Sequence, residues 1–161
     1  MTPLKALLDN LTACQPRNLL YLSAHPALAL ESDELALTTR SDVTAVASLE
    51  HEGHYDCALV ADFLEHLPKV QGLAILGRLR NLHAGRLLVF IDHDAAAEPW
   101  SLDDFLGLGF RLEATLADNT PTNSVRTLAF YSYDIATYNH EREWNNPRFW
   151  ANPQIWGKYF W

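Results

Sequence analysis

The chain has 161 residues, of which 48% are hydrophobic and 20% charged, so it can form one folded domain and is not a disordered chain. Twenty Asp and Glu residues against twelve Lys and Arg give a net charge of −8. This charge repels phosphate backbones, which argues against nucleic acid as a direct partner.

The composition also bears on where the protein works. No window of the sequence reaches the roughly eighteen apolar residues that a membrane span needs. The two cysteines, Cys14 and Cys57, do not have the spacing of a metal or disulfide framework, which predicts two reduced thiols. We therefore expect a cytoplasmic protein without membrane contact.

The first predicted element is an amphipathic helix. Thr2 and Pro3 are typical of a helix start, and leucines then recur at helical spacing. A buried strand follows in NLLYLS, residues 18–23, and a second strand in ELALTT, residues 34–39. DVTAVASLE, residues 42–50, fits a strand or a helix equally well, so its structure is left open.

The middle of the chain predicts a strand, a helix and a strand. YDCALVADFLEHL, residues 55–67, begins as a buried strand and ends in acidic and imidazole side chains. The helix that follows begins at Pro68 and is predicted to end at Gly85. RLLVFIDHD, residues 86–94, is the next apolar strand. Because parallel strands need a helical crossover, this order predicts a βαβ unit with two parallel strands.

A short helix and a hairpin complete the predicted domain. Ser101 and Asp104 have the spacing of a capping box, and GLGF, residues 107–110, ends the helix that they open. FRLEATLA, residues 110–117, and VRTLAFYSY, residues 125–133, are joined by a turn-rich segment. This arrangement predicts an antiparallel hairpin at one edge of the sheet.

Taken in order, these elements resemble the second half of the class I S-adenosylmethionine-dependent methyltransferases. The likeness is greatest to the small-molecule branch that includes the ubiquinone and menaquinone biosynthesis enzymes, and it covers roughly residues 55–133. It implies one α/β domain, residues 1–138, with a reduced Rossmann-like fold and a mostly parallel sheet. In that family a strand ends in a D-x-L-E-H-L-like motif, matched here by Asp62, Leu64, Glu65, His66 and Leu67.

The first half of the chain departs from this family. The family's cofactor loop, v-L-D-l-G-x-G-x-G, uses glycines to let the backbone approach the cofactor closely. Here Ser23, His25 and Ala27 stand at the three glycine positions. TTR, residues 38–40, offers no carboxylate for the ribose hydroxyls. We therefore predict a degenerate cofactor loop, in which His25 either fills the vacated space or belongs to an altered site.

Ionisable side chains follow both strands of the predicted βαβ unit. Ligands of open α/β sheets bind outside the carboxyl ends of the strands, so these groups are predicted to share one rim. Such a cluster can serve acid/base chemistry or hold a divalent cation, and it is also typical of solvated loop ends and helix caps. The ligand spacing is too loose to predict a metal site, and no catalytic residue is assigned. The six rim residues are Asp62, Glu65, His66, Asp92, His93 and Asp94.

The composition changes after residue 138, which predicts a separate Trp- and Pro-rich tail over residues 139–161. NPRFWA and NPQIWG are near-repeats that fit neither a continuous helix nor a central strand. Exposed tryptophan is costly, so the tail must bury these rings against its own domain, against a protein partner or in self-association. The four tail tryptophans are Trp144, Trp150, Trp156 and Trp161.

Two functions are compatible with these patterns. In the first, the chain is a methyltransferase-like protein that is not an enzyme, holds no cofactor and acts as a binding or interaction protein. In the second, it is an atypical small-molecule methyltransferase that still uses S-adenosylmethionine, with the acceptor near Asp62, Glu65 and His66. The missing glycines favour the first function, and the retained D-x-L-E-H-L stretch keeps the second open.

Overall fold

The computed structural model describes residues 2–26, 35–118, 126–138 and Lys158. Within these residues the helices are α1 (Pro3–Cys14), α2 (Lys69–Arg78), α3 (Leu102–Gly107) and α4 (Ile135–Tyr138). The strands are β1 (Asn18–Leu22), β2 (Ala36–Arg40), β3 (Tyr55–Ala61), β4 (Ala84–Asp92), β5 (Arg111–Asp118) and β6 (Arg126–Asp134). The predictions for Ala27 and for Trp144, Trp150, Trp156 and Trp161 fall outside the described residues.

The six strands form one sheet in the order β2-β1-β3-β4-β6-β5. The first four strands of this order are parallel, whereas β6 runs antiparallel to both β4 and β5. The predicted βαβ unit and the predicted edge hairpin are therefore confirmed. From β1 the chain goes outward to β2 and then returns to the other side of β1 as β3, so the strand order reverses between β1 and β3.

The sheet is reduced on the side of β2. The common doubly wound order places a further strand outside the second one. Between β2 and β3 the described chain forms only a short 3-10 turn, Val46–Leu49, which settles the segment whose sequence fits a strand or a helix. Val43 and Leu49 anchor this connection, because both side chains are fully buried in the core.

Local sequence signals set the starts of the helices. The Thr2 hydroxyl accepts a hydrogen bond from the Lys5 amide, and Pro3 is the first residue of α1. Ser101 and Asp104 form the predicted capping box at the start of α3. Both predicted helix starts are confirmed.

The prediction that Gly85 ends the second helix is wrong. A wide π turn, Leu79–His83, continues α2 directly into β4, so Gly85 is already the second residue of that strand. The buried His83 ring holds this turn, because its Nδ1 donates to the carbonyl of Gly53 at 3.0 Å. The helix therefore passes through a π turn into β4 at the position where the pattern predicted a glycine cap.

Apolar side chains cover both faces of the sheet. Alternate residues of β1 separate onto the two faces: Leu19 packs with the helix α1, and Leu20 packs on the side of α2 and α3. The face of the sheet that packs on α3 contains an aromatic stack, in which the ring centroids of the fully buried Phe105 and of Tyr131 are 3.9 Å apart. None of the described helices has the length and apolar character of a membrane span.

Candidate functional site

The candidate site lies at the carboxyl ends of β1 and β3, where the strand order reverses. Open α/β sheets bind their ligands at this point. Backbone pairing continues beyond the end of β1 on both of its sides. The Ser23 amide donates to the carbonyl of Arg40 at the end of β2 at 3.2 Å, and the Ala24 amide donates to the carbonyl of Asp62 after β3 at 2.8 Å. This pairing brings the next residue, His25, over the end of β3.

Three side chains meet there, and we call His25, Asp62 and His66 the His-Asp-His cluster. Nδ1 of His25 lies 2.9 Å from one carboxylate oxygen of Asp62, and Nε2 of His66 lies 2.9 Å from the other. The two rings meet edge to face, with centroids 5.5 Å apart. The side chain of His25 is 77% exposed, whereas Asp62 and His66 are each 46% exposed. The cluster therefore faces solvent and is not a buried filling of the crevice.

Asp62 has an unusual backbone and an acidic carboxyl. Its φ of 49° lies in the left-handed region, which Asp adopts more readily than most residues. Burial raises the pKa of Asp62, but the hydrogen bonds and positive charge of His66 and His25 outweigh it, so the net pKa lies below its usual value. The carboxylate between the two rings is therefore ionised at neutral pH.

Glu65 has a structural position instead of a place in this cluster. Its side chain is buried, with Oε2 accepting from the Phe63 amide at 2.9 Å and Oε1 from the Asp92 amide at 2.8 Å. Burial raises the pKa of Glu65 more than these amide hydrogen bonds lower it. The carboxylate links the end of β3 to the end of β4 and is shielded from solvent.

The residues after β4 also bond mainly within the protein. The buried Asp92 accepts from the amides of Asp94 and Ala95 through Oδ1, which closes the turn. His93 lies between the Trp100 carbonyl, 3.1 Å from Nδ1, and the Tyr131 hydroxyl, 3.2 Å from Nε2. A neutral ring satisfies both contacts, because Nδ1 donates to the carbonyl and Nε2 accepts from the hydroxyl.

The six side chains of the predicted rim fall into an exposed group and a group that bonds within the protein. β3 and β4 are neighbours, as the rim prediction requires, but only some of the six side chains are available to a ligand. Asp62 and His66 belong to the exposed cluster, and Asp94 is exposed on its own turn. Glu65, Asp92 and His93 bond to the backbone or the core.

Sequence reasoning did not join His25 to the rim. The residue precedes Asp62 by 37 positions, so no spacing rule relates them. The available signal was its place in the loop after β1, beside the strand that ends in Asp62. Ser23, also from that loop, is fully buried, and its hydroxyl accepts from the His25 amide at 3.2 Å.

A positively charged side chain stands at the end of β2, where the family resemblance implies a carboxylate that binds the ribose. Arg40 is the last residue of β2. Its guanidinium pairs with Asp42, 2.7 Å from Nε to Oδ1, and with Glu52. The pairing leaves Asp42 engaged with Arg40.

Two free cysteines lie near the amino ends of the strands. Cys14 ends α1, Cys57 is buried in β3, and both are free thiols. The Cys57 thiol lowers the pKa of Cys14 to about 6 by hydrogen bonding, assisted by Arg86 and opposed by burial. This pair is separate from the His-Asp-His cluster.

Comparison with solved structures identifies the class of fold. The chain is similar to magnesium protoporphyrin IX methyltransferase (ChlM) from Synechocystis PCC 6803 with bound SAH, at 13% identity and a TM-score of 0.52 over 81% of each chain. It is also similar to the methyltransferase domain of bacterial CtHen1, at 12% identity and a TM-score of 0.50 over 81% of this chain and 97% of that one. The methyltransferase fold implied by the resemblance is therefore confirmed.

The chain belongs to the family of unknown function DUF6231, whose model matches residues 1–161. No curated protein matches it. The structure of ChlM with bound SAM aligns over less of both proteins, 62% of this chain and 47% of that chain, at 18% identity and a TM-score of 0.43. At these identities the solved structures establish the fold alone.

Proposed function

We propose that this protein is a methyltransferase-fold binding protein that has lost ordinary S-adenosylmethionine binding. The observation that carries the proposal is the contact of His25 with Asp62 across the point of strand reversal. Cofactor loops of this kind of sheet need glycine so that the backbone can approach the ligand. Here the loop carries side chains instead, and one of them reaches over the end of the neighbouring strand.

The end of β2 supports the same proposal. A ribose-binding site needs a carboxylate that is free to accept from the hydroxyls. In this chain Arg40 stands at the strand end, and its guanidinium engages Asp42 and Glu52. A bound nucleoside would have to displace these ion pairs.

Three residues of the retained D-x-L-E-H-L motif have a structural role. Glu65 joins two strand ends through backbone amides. Leu64 and Leu67 are buried in the core beneath it. Packing and hydrogen bonding therefore account for Leu64, Glu65 and Leu67, which supports a role without catalysis for this part of the motif.

Titration of the full chain with S-adenosylmethionine and S-adenosylhomocysteine tests the loss of the cofactor. We expect no heat of binding at ligand concentrations of about 1 mM and an unchanged melting temperature, because the loop has side chains at the glycine positions and Arg40 with its ion pairs stands at the ribose position. A class I methyltransferase titrated in the same buffer is the positive control. Micromolar binding, about −8 kcal/mol, would contradict the proposal and support the atypical methyltransferase.

The binding role is assigned to the Trp-rich tail. Tryptophan is enriched at interaction hot spots, and four of the five tryptophans fall in the last eighteen residues. We propose that the tail docks on a protein surface, either a second copy of this chain or another protein. The net charge of −8 favours such a partner over nucleic acid.

The double variant Trp150→Ser and Trp156→Ser in the full chain tests the tail. If the tail docks on another protein surface, the melting temperature stays within about 1 °C of wild type, since little of the domain core is lost. Any self-association seen by sedimentation should decrease. Asn145→Ser changes the same segment without removing an aromatic ring and is the control. A large drop in melting temperature would show that the tail packs on its own domain.

A further inference from the structure

We infer that His25, Asp62 and His66 form a binding site for a divalent transition-metal ion such as Zn²⁺. Two imidazoles and one carboxylate are a ligand set that binds zinc and similar ions and leaves coordination positions open. One ligand atom from each residue lies within 4.8 Å of the others. The inference goes beyond the proposed function and does not depend on it.

The geometry requires only a small adjustment. Zinc ligands lie about 2.0–2.1 Å from the ion, so tetrahedral ligand atoms are separated by about 3.3 Å. Each imidazole nitrogen is already 2.9 Å from a carboxylate oxygen of Asp62. The main change needed is a shorter distance between the two ring nitrogens, which lie within 4.8 Å of each other. The His25 side chain can move to make this change because it is 77% exposed.

The surrounding backbone holds two of the ligands in place. The Asp62 carbonyl accepts from the Ala24 amide, and the His25 amide donates to the buried Ser23 hydroxyl. These bonds fix the backbone positions from which the Asp62 and His25 side chains extend. Asp62 is also kept in a left-handed backbone conformation, a local strain that is common at functional sites.

The position of the cluster suits an ion with open coordination sites. It lies where the strand order reverses, and all three side chains face solvent. An ion held by three protein ligands would therefore keep water at its remaining positions, accessible to a further ligand from solution. The net charge of −8 raises the local concentration of cations around the chain.

Titration of the full chain with Zn²⁺ and with Co²⁺ tests this site. Binding is measured by calorimetry, and the visible absorption of Co²⁺ reports its coordination. We expect one ion per chain bound by nitrogen and oxygen ligands. His25→Ala, Asp62→Asn and His66→Ala should each weaken binding at least about tenfold, since each removes one of three ligands.

Two variants control for other ligands of soft divalent ions. Cys14→Ser removes a thiol near the amino ends of the strands, and His54→Ala removes an exposed histidine before β3. Neither should change the affinity. The inference is overturned if wild type binds no ion, if His25→Ala leaves binding unchanged, or if Cys14→Ser abolishes it.

Melting curves of His25→Ala, Asp62→Asn and His66→Ala show whether each variant is still folded. The side chains are exposed, so wild-type melting temperatures are expected and loss of binding then reports the site itself. The S-adenosylmethionine titration is separate. Binding of both zinc and the cofactor would contradict the proposed function and leave the metal site standing.

Discussion

Replacement of Glu65 by alanine is expected to destabilise the protein by about 3 kcal/mol, which corresponds to roughly 10 °C in melting temperature for a chain of this size. The buried carboxylate accepts hydrogen bonds from the amides of Phe63 and Asp92. Without it, both amides are left unpaired in the interior. Urea and thermal unfolding followed by circular dichroism measure the loss.

Two further variants separate this structural role from a functional one. Glu65→Gln keeps the shape and one acceptor oxygen, so it should lie between alanine and wild type in stability. Asp94→Ala removes an exposed carboxylate from the neighbouring turn and should change the free energy of unfolding by less than about 0.5 kcal/mol. Wild-type stability of Glu65→Ala would contradict the structural interpretation and return Glu65 to the list of candidate functional residues.

Replacement of Phe105 by alanine should cost about 4 kcal/mol. Its ring is fully buried and stacks on the Tyr131 ring, with the two ring centroids 3.9 Å apart. The ring centroids of Trp100 and Phe110 lie 5.3 and 6.1 Å from that of Phe105. Removing the ring loses both apolar burial and aromatic contact and leaves a cavity between α3 and the sheet. Denaturant unfolding measures the change.

The adjacent residue supplies a matched control for this effect. Leu106 lies on the same short helix but is half exposed, so Leu106→Ala should change stability by less than about 1 kcal/mol. Phe105→Leu fills part of the cavity and should recover part of the loss. Equal melting temperatures for the two alanine variants would show that the aromatic stack does not stabilise the domain.

Glu65 of the rim and Phe105 of α3 both stabilise the domain. Glu65 joins strand ends through the backbone, and Phe105 supports the helix that packs beneath His93. Neither belongs to the His-Asp-His cluster. Substitutions in the cluster are therefore expected to change ligand binding, whereas substitutions at these two positions change folding.

Much of the architecture was predictable because its signals are local. Pro3 and the capping box at Ser101 mark helix starts, and the apolar runs at β1, β3 and β4 mark strands that are buried on both faces. The polar ends of two adjacent parallel strands also predicted a shared rim. The fold could be derived from these features because each depends on neighbouring residues and on one rule of sheet topology.

The sequence by itself therefore determined the class of fold and the absence of glycine from the loop after β1. Only the tertiary structure decided which rim side chains are available: Glu65 turns inward to backbone amides, while Asp62 turns outward to His25, which lies 37 residues away in sequence. The physical reason is that both choices depend on contacts between separate strand ends, whose relative position no local pattern specifies. The same limit explains the π turn in place of a cap at Gly85, because a distant carbonyl, that of Gly53, holds it.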